Sequence, residues 1–316
     1  MFEVRSRDVT LFRSRHGVAS TLPRLGRTRK RKVPELDVRA ILSCEKRDIR
    51  LPKNPEQFSI RSRRKMSIAN QLAKCLPGPL KTGAKKVRDN VRFRNIGLKT
   101  SRYDGPLEFL GTAYGGYMLP SREIREGLTC YSFGAGEDIS FESELAAAFP
   151  VEVHIFDPTP RAITYVSDFI KRTFVVGNDA GQRLHLHPWG VWSSDQQMQF
   201  YAPKDPAHVS HSLVNMQHTT DYFIADCRRP KSIMNALGHK SIDLLKLNIE
   251  GAEYEVIRAL FEDQIRPSII CINFDELHTR IDASARARLR GLVRQFADQG
   301  YIAVSAEVCR ATFLLR

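Results

Sequence analysis

Residues Thr129–Asp138, TCYSFGAGED, organise the reading of the whole chain. A short apolar run closes on Gly134-Ala135-Gly136, and beyond it Phe141, Leu145, Ala148 and Phe149 fall at helical spacing. Strand, tight turn and helix follow in that order. The glycines let the backbone turn sharply and approach a ligand without a Cβ in the way. A second apolar run, Val151–Phe156, ends on Asp157, 21 residues past Gly136. An acid at that separation is placed to accept hydrogen bonds from a ribose diol. The pair of features points to a cofactor that carries a nucleoside.

Further along, the same alternation continues. Arg161–Arg172 reads as a helix, Leu184–Trp192 as a strand, Met198–Tyr201 as a short strand and Ser232–Leu237 as a helix. Ile242–Leu247 is a buried strand, Glu253–Glu262 a helix, Ser268–Phe274 a strand and Ala283–Gln299 a long amphipathic helix. Tyr301–Val304 and Thr312–Leu315 close the chain as two strands. Strands separated by helices imply an α/β fold, a doubly wound, mostly parallel Rossmann-like sheet covered on both faces, and the closing strands an antiparallel hairpin at one edge. In such sheets ligands bind beyond the carboxyl ends of the strands, where the strand order reverses.

A dinucleotide would call for a third glycine, and this turn reads G-A-G-E-D-I. Glu137 and Asp138 would also repel phosphates at the start of the helix. S-adenosylmethionine has no phosphate, and its sulfonium and amino groups are cationic, so acids here favour it.

The run CYSFGAGEDISFE at Cys130–Glu142, followed by VHIFDPTPRA, FYAP, SHSL and LLKLNIEGAEYEVI, resembles the FkbM family of methyltransferases, with GGYMLP fitting the loop before the first strand. The similarity spans about Gly111 to Leu277. It implies a class I methyltransferase fold, S-adenosyl-L-methionine as cofactor, and O-methylation of a hydroxyl on a sugar, glycan or secondary metabolite. Carried over, Gly134, Gly136 and Glu137 line the methionine end, Asp157 takes the ribose, and Gly190 and Val191 flank the adenine. Glu250, in the segment after the fourth strand, is the first candidate for a catalytic or substrate-orienting group. The family pattern places an acid where this chain has Asn248, and often one near Asn273. Asp275 and His278 could supply base function from the same edge of the pocket. Glu253 and Glu255 read as ordinary first-turn and surface helix charges, and Trp192 as a core residue.

The basic character lies at the start of the chain. Residues 1–100 hold 27 Lys and Arg against 8 Asp and Glu, net +19, within a total of +14, so the remainder is slightly acidic at −5. Residues 1–65 lack apolar periodicity and are expected to be a largely disordered basic extension. Residues 66–100 read as a helical lead-in, with a helix at Met66–Cys75 stopped by Pro77-Gly78-Pro79, and 101–316 as the methyltransferase domain. Clustered cations suit phosphates, so a nucleic-acid methyltransferase is an alternative. No aromatic residues interleave with the basic block, which favours a solvated tail or an early start codon. A non-catalytic binding protein of the same fold is the second alternative, and a NAD-dependent oxidoreductase a distant one. The six cysteines have no C-x-x-C spacing, and His154, His185 and His187 have no companion acids at ligand spacing, so no metal is expected. Cys130 and Cys271 read as small core residues. No run is long enough to span a bilayer and no secretory signal is evident, which gives a cytoplasmic expectation.

Overall fold

The computed structural model describes residues 91–175, 179–205, 211–215 and 218–316. The expectations for 1–65 and for the Met66–Cys75 helix lie outside them.

A two-stranded antiparallel ribbon, β1 (Leu107–Leu110) and β2 (Tyr117–Pro120), precedes the main sheet. Then come β3 (Thr129–Phe133), α1 (Ser140–Ala148), β4 (Glu152–Phe156), α2 (Pro160–Val175) and β5 (Leu184–His187). A small sheet is formed by β6 (Gly190–Val191), β7 (Gln196–Tyr201) and β8 (Tyr222–Arg228). The second half runs α3 (Pro230–Leu237), β9 (Leu244–Leu247), α4 (Glu253–Glu262), β10 (Ile269–Asn273), α5 (Ala285–Asp298), β11 (Tyr301–Glu307) and β12 (Arg310–Leu315).

The main sheet has the order β11-β12-β10-β9-β3-β4-β5. β10, β9, β3, β4 and β5 are parallel neighbours, and β12 lies antiparallel between β10 and β11. This is the doubly wound, class I methyltransferase-like arrangement expected from the strand–helix alternation, with its antiparallel edge. From β3 the chain winds one way to β4 and β5. From β9 it winds the other, so the order reverses between these two strands.

Period-two alternation sorts the strands onto two cores. Tyr131, Phe133, Phe156, Leu245, Leu247, Ile270 and Ile272 pack with α3, α4 and α5 through Ile233, Val256, Leu260 and Phe296. Cys130, Val153, Ile155, Leu244, Ile269 and Cys271 face the other way, onto Phe141 and Leu145 of α1, Val166 of α2 and Leu119 of β2. Cys130 and Cys271 are thus core residues with free thiols. Phe93, Ile96 and Leu98 of the lead-in are buried in the first core, and Thr100 bridges to Ala303. No helix among the described residues is long and apolar enough to cross a membrane.

Three sequence expectations change. The single strand over Leu184–Trp192 is two strands in two different sheets, because Pro188 has no N–H with which to continue the ladder. The stretch GGYMLP, read as a loop, contains β2. The partner of β7 is β8, a strand that the sequence reading omitted.

Candidate functional site

The turn after β3 is held from beneath. Gly134 has φ +85°, and a Cβ on it would lie 2.0 Å from the carbonyl oxygen of Asn248. Only glycine allows the ends of β3 and β9 to approach so closely. Lys246 of β9 is 2% exposed and donates from Nζ to the Gly134 carbonyl at 2.9 Å and to Glu142 Oε1 at 2.8 Å. Ser132 Oγ also donates to Glu142 Oε1. A buried ion pair therefore ties the middle of β9 to α1 and to the glycine turn.

Asp157 closes the turn from the side. Its Oδ2 accepts the N–H groups of Ala135 and Gly136, both at 2.9 Å. Its Oδ1 accepts the N–H and the hydroxyl of Thr159, at 2.9 and 2.7 Å. The residue stands at the end of β4 and on the cleft wall, as the sequence placed it, but its lone pairs are filled by this chain's own donors. To reach a ribose diol it would have to release one of them. Glu137 also lines the cleft, and its carboxylate makes a two-pronged pair with Arg161 at 3.0 and 2.9 Å.

Around this turn is an open cleft of about 700 Å³, mouth included. Gly134, Gly136, Glu137, Asp157, Gly190 and Val191, the six expected cofactor residues, all line it. Phe156, Val191, Leu213 and Ile249 supply apolar wall, and Glu250 a further acid. No lining side chain among the described residues is Lys or Arg. Such a surface fits a planar base and cationic groups of the kind S-adenosylmethionine carries.

A second cleft of about 670 Å³, measured the same way, adjoins the first and shares Tyr114, Asn248 and Glu250 with it. Asn248, Glu250, Asp275 and His278, the four expected catalytic residues, line it together with Asn273. Glu250 sits at φ +52° and Gly251 at φ +94° in the turn after β9. A non-glycine residue there costs on the order of 1–3 kcal/mol and persists only when its surroundings impose it. Here Ser212 Oγ donates to the Glu250 carbonyl at 2.6 Å, and Glu253 accepts the N–H groups of Ile249 and Gly251 at 3.1 and 2.9 Å.

The amides at 248 and 273 are bonded to each other. Asn273 Nδ2 donates to Asn248 Oδ1 at 2.9 Å and also to Asp275 Oδ1, while Cys309 Sγ donates to Asn273 Oδ1 at 2.7 Å. Burial, then the charges of Glu253 and Glu250, push the Asp275 carboxyl well above its usual range. Burial likewise pushes Glu253 up to about 7, against the bonds it accepts.

A family model for the methyltransferase FkbM domain matches residues 136–302, just over half of the chain. The chain belongs to the FkbM methyltransferase family. Among solved structures, methyltransferase FkbM from Methylobacillus flagellatus KT is 14% identical with a TM-score of 0.40, over 60% of this chain and 44% of that one. This FkbM-family chain thus spans less than half the length of that protein. Precorrin-6y C5,15-methyltransferase from Geobacter metallireducens GS-15 is 13% identical with a TM-score of 0.33, covering 65% of this chain and 94% of its own. An rRNA methylase from Streptococcus thermophilus is 10% identical at 0.34, over 62% and 92%. No curated protein matches.

Beside the expected residues, the FkbM-family fold brings in others that the sequence reading missed. Glu253, read as a first-turn charge, is 2% exposed and lies against Asp275 behind the cleft wall. Tyr114, 71% exposed, stands between the two clefts on a turn that Arg310 fixes by donating to the carbonyls of Ala113, Tyr114 and Gly116. Trp192 is half-buried rather than a core residue. His154, His185 and His187 meet His239 in one stacked cluster beside β5, with ring centroids 4.5–5.3 Å from His154. Within that cluster His154 Nδ1 lies 3.0 Å from His187 Nε2 and His185 pairs with Glu152. Among the described residues no group has metal-holding geometry.

Proposed function

We propose that the protein transfers a methyl group from S-adenosylmethionine to a hydroxyl of a sugar, glycan or secondary metabolite. The observation that carries this reading is the meeting of two clefts at Asn248, Glu250 and Tyr114, beyond the carboxyl ends of β3 and β9. One cleft has walls and acids suited to the cofactor, and the other gathers the polar groups an acceptor needs. S-adenosylmethionine, when bound, supplies an electrophilic methyl group on a sulfonium. The chain supplies position, which accounts for much of the acceleration when donor and acceptor are held in line. Gly134, Gly136, Glu137, Asp157, Gly190 and Val191 would hold the cofactor. Glu250, fixed in its unusual backbone conformation, and Asn248 would orient the acceptor between the clefts, and Asp275 and His278 would receive its proton. The activity would reside in the 101–316 domain with residues 91–100 packed on it.

Titration calorimetry tests the cofactor half. S-adenosylmethionine should bind with one site per chain and NAD should not. The transfer half is tested by release of S-adenosylhomocysteine across a panel of free sugars, glycans and phenolic or aliphatic alcohols. Absence of S-adenosylmethionine binding would remove the enzymatic reading altogether. Binding with no release on any hydroxyl acceptor would favour a binding protein of this fold.

A further inference from the structure

Glu253 has no assigned role, yet it is a buried acid set against Asp275, which lines the acceptor cleft. Its two oxygens grip the N–H groups of Ile249 and Gly251 and so impose the turn that carries Glu250. Its carboxyl faces that of Asp275. Asp275 Oδ1 is bonded by Asn273 Nδ2, and the backbone N–H of Glu250 also holds the carboxyl, while Oδ2 is sealed from solvent beside the Glu253 carboxyl without a donor of good geometry. A sealed carboxylate oxygen without a partner is costly, and two carboxylates cannot bond each other until one carries a proton.

We propose that Glu253 and Asp275 hold one proton between them, with Glu253 as the positioning residue that makes Asp275 a stronger base towards the acceptor. The inference rests on the methyltransferase reading of the same site. With the pair protonated once, Asp275 Oδ2 becomes a donor towards Glu253 and the orphaned atom is satisfied. When that proton leaves, two negative carboxyls face each other in a poorly solvated place, and the pair takes up a proton readily. In each turnover the shared proton would first pass to solvent water. The acceptor's hydroxyl proton would then take its place, the acceptor O–H bond breaking as an O–H bond forms on the Asp275 carboxyl. The freed oxygen pair takes the methyl group, and the carbon–sulfur pair stays on sulfur. The other charged or titratable groups around the pair are Glu250 on the turn, His278 after β10, Tyr117 on β2, and Cys309 and Arg310 at the β11–β12 turn. Among these, Arg310 spends its guanidinium on the carbonyls of the Tyr114 turn.

The test is an infrared titration of the whole protein with its aspartates ¹³C-labelled. A protonated aspartyl band should persist to near-neutral pH and vanish with a midpoint well above the ordinary Asp range. Asp275→Asn, which leaves the bonds of Glu253 to its turn in place, should abolish it. Glu253→Gln should leave the band but lower its midpoint by about one pH unit or more, since the charge that raised it is gone. An ordinary midpoint in the native protein, or an unchanged one in Glu253→Gln, overturns the proposal, as does a band that survives in Asp275→Asn. Melting curves show that each variant is folded. Should Glu253→Gln not fold, Asp275→Asn together with the native midpoint decides the matter. If S-adenosylmethionine fails to bind while the titrating band is present, the functional reading falls and the proton-sharing pair stands; the converse result removes only the pair.

Discussion

Asp157 offers a sharp test, because the cofactor-contact role read from sequence and the turn-holding role seen in the structure make different forecasts for Asp157→Asn. The amide keeps shape and one oxygen, but its NH₂ must face either the Ala135 and Gly136 N–H groups or the two Thr159 donors. Facing the Ala135 and Gly136 N–H groups it loses both bonds. Facing Thr159 it loses the N–H bond, the hydroxyl turning to accept, and the remaining bonds weaken because their acceptor is no longer charged. Each bond to a carboxylate is worth about 1.5–3 kcal/mol. Since the turn borders an open cleft and water can partly replace them, the lower end of the sum applies, about 3 kcal/mol. For a domain of this size that lowers the melting temperature by about 6–12 °C. Such a loss leaves a domain of ordinary stability folded. Differential scanning calorimetry on the variant, beside titration with S-adenosylmethionine, should show both a lower melting point and weakened binding, the second following from the first because the turn is no longer pinned. A melting point within about 1 °C of the native protein would refute the turn-holding argument. If affinity were lost at that unchanged stability, Asp157 would be a direct ligand contact.

The buried Lys246–Glu142 pair should behave asymmetrically. Lys246→Met leaves a sealed carboxylate and should cost about 3–5 kcal/mol in denaturant unfolding, whereas Lys246→Met with Glu142→Leu should recover most of it. The histidine cluster should make the protein acid-sensitive. Burial and mutual repulsion hold His154 down to about 3 and His187 to about 4, below the ordinary 6.5. Their neutral forms are the stable ones, so stability is complete above about 6.5 and drains away as pH falls towards 4. Melting temperatures across that window should show a slope that His154→Phe reduces; an equal slope in the variant would discount the cluster. Finally, Asn273→Asp puts an oxygen against Asn248 Oδ1 and Asp275 Oδ1 in place of a donor. It should destabilise by about 1–3 kcal/mol at alkaline pH. The new carboxyl has a raised folded pKa, so the penalty should shrink as pH falls and protons return.

The central sheet was legible because each of its strands carries a strong apolar signal with a stop. Gly134 and Asp157 punctuate β3 and β4, and the apolar positions of α5, Ala285, Leu289, Leu292 and Phe296, fall on one stripe. The small sheet was legible only in part: β7 was read over Met198–Tyr201, short of its Gln-Gln start, while β8, which alternates exposed with half-buried positions and so shows no buried face, was missed. Lys246 left a signal that went unused: a lysine within the fully buried strand LLKL requires a buried acid, and Glu142 is an acid on a helix that otherwise packs Phe141, Leu145 and Ala146 inwards. Glu253 left none. Its context at the start of α4 is what a solvated, dipole-stabilised first turn looks like, and only the docking of the loop after β10 turns it inwards.

The amides at 248 and 273 then take on a meaning that the sequence alone did not supply. Each replaces an acid of the family pattern, which by itself suggests a disabled site. In the fold, the carboxyl ends of β9 and β10 already bring Glu250 and Asp275 to one cleft, with Glu253 buried against Asp275. Acids at 248 and 273 would add two like charges within hydrogen-bonding distance of each other and of Asp275, and burial would penalise every one of them. An amide pair instead bonds across the two strand ends, with Asn273 donating to Asn248 and to Asp275. Acids thus stand on the turn after β9, at the start of α4 and in the loop after β10, while the strand ends are joined by neutral groups. Amides at 248 and 273 are therefore no argument against the proposed chemistry, because Glu250 and Asp275 still line the second cleft.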